Sequence, residues 1–187
     1  LSSTSFHDPE LPRQVATTLQ VHGLGPRDLM LELTESVLLD AHPRTLQTLA
    51  EVRALGVRLS MDDFGTGYSS LSYLRRLPVS ELKLDRSFVA DLETDEAARA
   101  LSGAILGIGR SLHLTVVAEG VETPGQRLLL HAQGYPVAQG YLFSRPLAAA
   151  EFAEWFAQAP GGDGDTGALQ GRWRADGILS TPPRIRP

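Results

Sequence analysis

The sequence predicts an α/β fold built on a parallel sheet or barrel, and two observations carry the prediction. Short apolar runs alternate with longer amphipathic ones from the start of the chain to about residue 158. That is the pattern of repeated βα units. Acidic residues also stand at the ends of four of the short runs, at Glu32, Asp62-Asp63, Asp85 and Glu119. Carboxylates add nothing to packing there, but the C-terminal rim of a parallel barrel is where such folds place their chemistry.

The elements follow in order. A helix is expected over roughly Pro9 to Val21, ended by Gly23 and Gly25-Pro26. A strand covers about Leu29 to Glu35. The next helix runs from about Pro43 to Leu55, with Leu46, Leu49, Ala50 and Leu55 at helical spacing and Gly56 as its stop. Val57 to Asp63 is the second strand, Ser69 to Leu77 a short helix closed by Pro78, and Glu81 to Asp85 the third strand. Asp95 to His113 forms the longest helix, with Ala97, Leu101, Ala104, Ile105, Ile108 and Leu112 on one stripe. Leu114 to Glu119 is the fourth strand. Thr123, Pro124 and Gln126 then supply an N-cap, a first-turn proline and a capping box for a helix that Gly134 ends. A strand is expected near Pro136 to Gln139, another near Tyr141 to Phe143, and a last helix over Ala149 to Gln158.

Strand phase sorts the charged residues. Side chains alternate faces along a strand. Leu29, Leu31 and Leu33 therefore oppose Met30, Glu32 and Thr34, and Val57, Leu59 and Met61 oppose Arg58, Ser60 and Asp62. Leu82 and Leu84 oppose Lys83 and Asp85; Leu114, Val116 and Ala118 oppose Thr115, Val117 and Glu119. With the wholly apolar face turned to the helices, Glu32, Asp62, Lys83, Asp85 and Glu119 share the inward phase. Asp62 and Asp63 diverge by the same alternation and can serve two cations, or one cation and the loop. Gly65 and Gly67 let that loop approach a ligand closely.

Composition sets further bounds. A chain of 187 residues can bury one sizeable core and reads as one domain, residues 1–159, followed by a Gly- and Pro-rich tail over 160–187 that is expected to be disordered. The net charge of −5 argues against coating a nucleic-acid polymer and makes an anionic substrate dependent on bound cations. The absence of cysteine excludes disulfides and thiolate metal sites and fits a reducing, cytoplasmic compartment. No apolar run is long enough to span a bilayer. The five histidines lack ligand spacing and read as structural. The opening at Leu1 reads as the middle of an element, hence as part of a longer protein.

Several stretches taken together resemble the EAL-domain cyclic di-GMP phosphodiesterases. They are Glu32-Leu33-Thr34-Glu35-Ser36, Asp62-Asp63-Phe64-Gly65-Thr66-Gly67-Tyr68-Ser69-Ser70-Leu71, Lys83-Leu84-Asp85-Arg86-Ser87-Phe88, Ala118-Glu119-Gly120-Val121-Glu122-Thr123, and Gln139-Gly140-Tyr141-Leu142-Phe143-Ser144-Arg145-Pro146. The resemblance implies a TIM-like (β/α)8 barrel, here incomplete: the first strand, its helix and most of the second strand are absent. It implies hydrolysis of cyclic di-GMP to linear pGpG with two Mg²⁺ or Mn²⁺ ions. By that likeness Glu32 is a ligand of one metal, Asp62 a bridging ligand and Asp63 a ligand of the second. Lys83 holds or polarises the attacking water or a phosphate oxygen. Glu119 acts at the second metal or as a base near the water, which Gln139 helps to order. Glu35, Asp85 and Glu122 are support carboxylates, with Glu35 bracing the Gly-rich loop.

The departure from the family is that its Glu-Ala-Leu stretch is missing, and Leu1-Ser2 looks like the remainder of an Asn-Leu-Ser stretch. The piece alone is therefore expected to be weak or inactive. The likeness also implies a homodimer through the Phe64–Ser70 loop and an upstream cyclase-like or sensor domain.

The chemistry agrees with the residue types. Phosphodiester hydrolysis needs a nucleophile at neutral pH and relief of charge on the phosphoryl oxygens, which a cation pair supplies. Mg²⁺ and Mn²⁺ take oxygen ligands, hence Asp and Glu. Three plainer readings stand beside these. Lys83 and Asp85 could be a structural ion pair, Glu122 could answer a helix dipole, and Tyr68, Tyr73 and Tyr141 read as packing residues. Two other functions remain open: a catalytically degenerate module that binds cyclic di-GMP or a protein partner, and a different Mg²⁺ barrel enzyme such as an enolate-forming lyase.

Overall fold

The computed structural model describes residues 3–34, 43–65 and 71–158. Two compact units emerge: Leu1–Asp85 with Gly107–Thr115, and Arg86–Leu106 with Val116–Pro187. Glu35, residues 66–70 of the Gly-rich loop and the 160–187 tail lie outside the described residues.

The first unit opens with a 3-10 turn, Ser3–His7, and helix α1, Leu11–Val21. The helix starts two residues later than the expected Pro9. Asp8 takes the Glu10 N–H on its side chain (2.8 Å) and the Leu11 N–H on its carbonyl (3.2 Å), which folds Pro9 into a turn. Leu11, Val15 and Leu19, one turn apart, are buried. Gly23, with φ +66°, closes the helix, and the Leu24 N–H reaches back to the Leu19 carbonyl at 2.9 Å. A second 3-10 turn, Pro26–Asp28, leads into strand β1, Met30–Thr34.

Helix α2, Pro43–Ala54, packs on α1 and on the first turn. Its buried side is Thr45, Thr48, Leu49 and Val52, so the expected stripe is corrected: Ala50 is exposed. Two threonines are accepted on the buried side, Thr48 by donating to the Arg44 carbonyl at 3.1 Å. Strand β2, Arg58–Phe64, the one-turn helix α3, Leu71–Leu74, and strand β3, Glu81–Leu84, follow. The strands run parallel in the order β1-β2-β3, with Leu33 opposite Met61 and Met61 opposite Leu82. Leu33, Val57, Leu59, Met61, Leu82 and Leu84 are buried with Leu49 and Val52 of the helix. The predicted helix from Ser69 to Leu77 is shorter in its described part, because Pro78 leaves the residues before it in a turn.

The second unit holds helix α4, Arg86–Ala90, and helix α5, Glu96–Ser111, as far as Leu106. It continues with strand β4, Thr115–Ala118 (from Val116 on), helix α6, Pro124–Gln133, strand β5, Val137–Ala138, and helix α7, Ala149–Gln158. β4 and β5 pair in parallel, Val117 opposite Val137 and Ala118 opposite Ala138. The capping box is as predicted: Thr123 Oγ1 accepts the Gln126 N–H (3.1 Å), and Gln126 Oε1 accepts the Thr123 N–H (3.0 Å). Gly134, φ +89°, ends the helix.

Two expectations fail in this unit. Tyr141 to Phe143 is a turn rather than a strand, because the Phe143 N–H returns to the Gly140 carbonyl. The stripe of α5 is also rotated. Leu101 is 45% exposed, while Ser102, Ile105 and Leu106 are buried. Ser102 earns that place by hydrogen bonding: its Oγ meets Gln133 Oε1 at 2.8 Å and the Tyr135 hydroxyl at 3.0 Å, and that hydroxyl donates to the Ser102 carbonyl at 2.9 Å. No helix among the described residues is long and apolar enough to cross a membrane.

Burial pushes the Tyr135 hydroxyl up to about 12, with the Ser102 hydrogen bond opposing. A group held neutral by the fold stabilises it fully below its unfolded value near 10, and that contribution is lost as pH rises through 12. Tyr135→Phe is expected to cost about 1 kcal/mol at pH 7. Its stability should also fall less steeply than the parent's between pH 10 and 12, as read by denaturant melts at both ends; parallel curves would contradict the assignment.

A candidate metal centre

Four carboxylates of the first unit stand on or just after β1, β2 and β3: Glu32, Asp62, Asp63 and Asp85. Glu32 is exposed, Asp62 half-buried and Lys83 buried, the lysine side chain being only 7% accessible. Lys83 Nζ lies 2.7 Å from Glu32 Oε1 and 3.2 Å from Asp62 Oδ1. These three side chains therefore share one face of the sheet, in the phase read from the sequence. The ion pairs described for Lys83 run to Glu32 on β1 and Asp62 on β2.

Asp63 does not continue the alternation. The β2–β3 ladder pairs Met61 with Leu82 and then Phe64 with Leu84, so Asp62 and Asp63 together stand opposite Lys83. This is a β-bulge, with Asp63 at φ +55° in the left-handed region. Aspartate is one of the few residues that tolerates it. The extra residue resets the strand: Val57, Leu59 and Met61 are buried, and so is Phe64, out of step with them. The sequence-based divergence of Asp62 and Asp63 is corrected accordingly, since the two offer carboxylate oxygens within 4.8 Å of one another. The misplaced apolar Phe64 was the signal for the bulge. The Asp63 N–H donates to Asp62 Oδ1 at 3.1 Å, which braces the pair.

Electrostatics follow from the crowding. Desolvation first, then the charges of Asp62 and Asp85, hold the Asp63 carboxyl above its ordinary value; Lys83 pulls it down and Glu32 adds a smaller push upward. Asp85 follows β3 directly, half-buried, and acts within this group. Glu32, Asp62, Asp63 and Asp85 are four carboxylates, with Lys83 the ammonium among them. Such an all-oxygen, net-negative donor set fits hard divalent cations such as Mg²⁺ or Mn²⁺.

Strain and like charge at Asp63 give a prediction. Asp63→Asn keeps a side chain that accepts the left-handed backbone and removes one charge from the crowd. With chelator present, the melting temperature is expected to rise by about 1–4 °C, while the upward shift on adding Mn²⁺ shrinks. A variant that loses stability without metal would overturn this account.

In the second unit Glu119 follows β4 and Gln139 follows β5. Gln139 Nε2 donates to Glu119 Oε1 at 2.5 Å. The backbones are joined as well: the Gln139 N–H goes to the Ala118 carbonyl (2.8 Å), and the Val121 N–H to the Gln139 carbonyl (3.0 Å). A Cβ on Gly140 would lie 2.2 Å from both the nitrogen and the oxygen of Val121, so only glycine fits this crossing. Glu122 is exposed at the start of α6. Sequence reading missed Glu81, a buried carboxylate at the opposite end of β3, which accepts from the Ser60 hydroxyl at 3.0 Å. The parallel register places that pair side by side.

A family model for the EAL domain matches residues 1–146. The cyclic di-GMP phosphodiesterase NbdA of Pseudomonas aeruginosa is 48% identical over 142 residues, 76% of this chain and 18% of that protein. The solved MucR phosphodiesterase of the same organism, in complex with cyclic di-GMP, is 45% identical with a TM-score of 0.77, covering 81% of this chain and 62% of that one. Klebsiella pneumoniae BlrP1, solved with manganese and cyclic di-GMP, is 34% identical with a TM-score of 0.71, covering 76% of this chain and 36% of that one. The chain spans about a fifth of the length of the first curated relatives it matches. At these likenesses the five parallel strands and their helices are part of a (β/α)8 barrel, the fold class the sequence predicted. With the acidic strand ends, the Asp62-Asp63 bulge and a matched span of residues 1–146, the chain belongs to the EAL domain family.

Proposed function

We propose that the protein carrying this chain is a metal-dependent phosphodiesterase that hydrolyses cyclic di-GMP to linear pGpG. The observation that carries the reading is the cluster of Glu32, Asp62, Asp63 and Asp85 around Lys83, in a family whose solved relatives carry manganese and this nucleotide. Residues 1–159 are the catalytic part and 160–187 an appendage. By itself the 187-residue chain is expected to be weak or inactive.

Glu32, Asp62, Asp63 and Glu119 are the residues that would hold two Mg²⁺ or Mn²⁺ ions. When bound, the ions would supply an acidified water and relief of charge on the phosphoryl oxygens. Lys83, buried and braced by two carboxylates, presents a compact ammonium suited to a phosphoryl oxygen or the attacking water. Gln139 holds the Glu119 carboxylate in one orientation through its amide, so that Glu119 can serve at a metal or take the water's proton. One P–O ester bond of the ring breaks, the water oxygen joins the phosphorus, and the proton leaves on the ribose hydroxyl. Asp85, Glu35 and Glu122 support these groups. We further propose a cytoplasmic protein with an upstream sensor or cyclase-like domain in the full-length protein, pairing through the Phe64–Ser70 loop.

The test is chromatographic assay of the full-length protein with cyclic di-GMP, with Mn²⁺ and with chelator. Metal-dependent release of pGpG is expected. Nucleotide binding without turnover would favour a degenerate binding module, and neither binding nor turnover would end the proposal.

A further inference from the structure

We infer that Gln126 is a positioning residue for Glu119, acting through the segment that joins β4 to α6; the inference rests on the phosphodiesterase reading above. A capping glutamine ordinarily takes one N–H, that of the N-cap residue. Gln126 does more. Its side chain is buried, with the residue 5% exposed. Its Oε1 accepts from both the Thr123 N–H (3.0 Å) and the Glu122 N–H (2.8 Å), the second lying outside the helix. Its Nε2 donates to the Ala90 carbonyl at the end of α4, at 3.4 Å. One amide thus ties together the start of α6, the end of α4 and the residues just after Glu119.

The rest of the segment holds the backbone on either side of Glu119. Gln139 brackets it through the Ala118 carbonyl and the Val121 N–H. Gly120, at φ +68°, presses against Arg86, and a Cβ there would lie 2.4 Å from Arg86 Cβ. Gly120 is also the natural pivot, because a glycine has the freest backbone. Releasing the Glu122 and Thr123 N–H groups lets the chain turn at Gly120 and swings the Glu119 carboxylate off Gln139. A displacement near 1 Å can cost about a hundredfold in rate.

The experiment uses the full-length protein with Mn²⁺. Gln126→Leu is expected to lower kcat by about 10–100-fold and to raise the Mn²⁺ concentration for half-saturation, with KM for cyclic di-GMP nearly unchanged. Gln126→Glu keeps the acceptor oxygens and should recover most of the rate. In a Glu119→Ala background Gln126→Leu should cost nothing further, since coupled residues are not additive. A kcat equal to the parent's, or the same loss in that background, would overturn the inference. If Gln126→Leu does not fold, Gln126→Glu carries the test, with a few-fold loss of kcat that vanishes in the Glu119→Ala background. An inactive parent would tell against the phosphodiesterase reading alone. Amide exchange in the metal-free protein then decides the inference: Gln126→Leu should speed exchange at Val121 and Gln139 and leave β2 unchanged, and unaltered exchange there would sink it.

Discussion

Asp62→Ala is expected to remove Mn²⁺-dependent hydrolysis of cyclic di-GMP by a factor on the order of a thousand or more while the fold survives. The size of the effect comes from position. Asp62 stands at the bulge, receives Lys83 Nζ at 3.2 Å and braces the Asp63 N–H at 3.1 Å. Its loss would therefore remove one proposed cation ligand and loosen a second. The fold should tolerate the change, because Lys83 keeps Glu32 at 2.7 Å and Asp63 loses a repulsive neighbour. The melting temperature without metal should stay within about 4 °C of the parent. Unchanged turnover, or a protein that no longer folds, would contradict the assignment.

Lys83→Met should produce the largest loss of stability. It leaves Glu32, Asp62, Asp63 and Asp85 facing one another without the ammonium among them. Breaking a fully buried pair costs about 3–5 kcal/mol; Glu32 is half exposed, so solvent screens part of this and about 1–3 kcal/mol is expected. In chelator that corresponds to a fall of about 3–10 °C in melting temperature. Added Mn²⁺ should restore part of it, giving a larger metal-induced shift than in the parent, while turnover falls on the order of a hundredfold. Equal melting temperatures in chelator would show that Lys83 does not balance the cluster.

Much of this was legible in the residues. The four acidic strand ends and their shared phase placed Glu32, Asp62 and Lys83 on one face, because side-chain alternation in a strand is a strict period of two. Thr123, Pro124, Gln126 and Gly134 marked the bounds of α6, because caps are local chemistry. What escaped was set by tertiary partners. Ser102 displaces Leu101 from the buried side of α5 because Tyr135 and Gln133, more than thirty residues away, need its hydroxyl. The bulge escaped because alternation was carried through Asp63, although Phe64 had already broken it. Gln126 was visible as a cap, but its bond to the Ala90 carbonyl depends on where α4 ends.

The extra residue in β2 has one more consequence. A strand of the ordinary count would keep an unbroken ladder to β3, spare the chain a left-handed aspartate, and send the two acidic groups to opposite sides. It would be the sounder piece of sheet and would lose the adjacent carboxylate pair. The proposed response to metal thus depends on one extra backbone position, and deleting that position should part the two carboxylates that Asp62→Ala or Asp63→Asn removes one at a time.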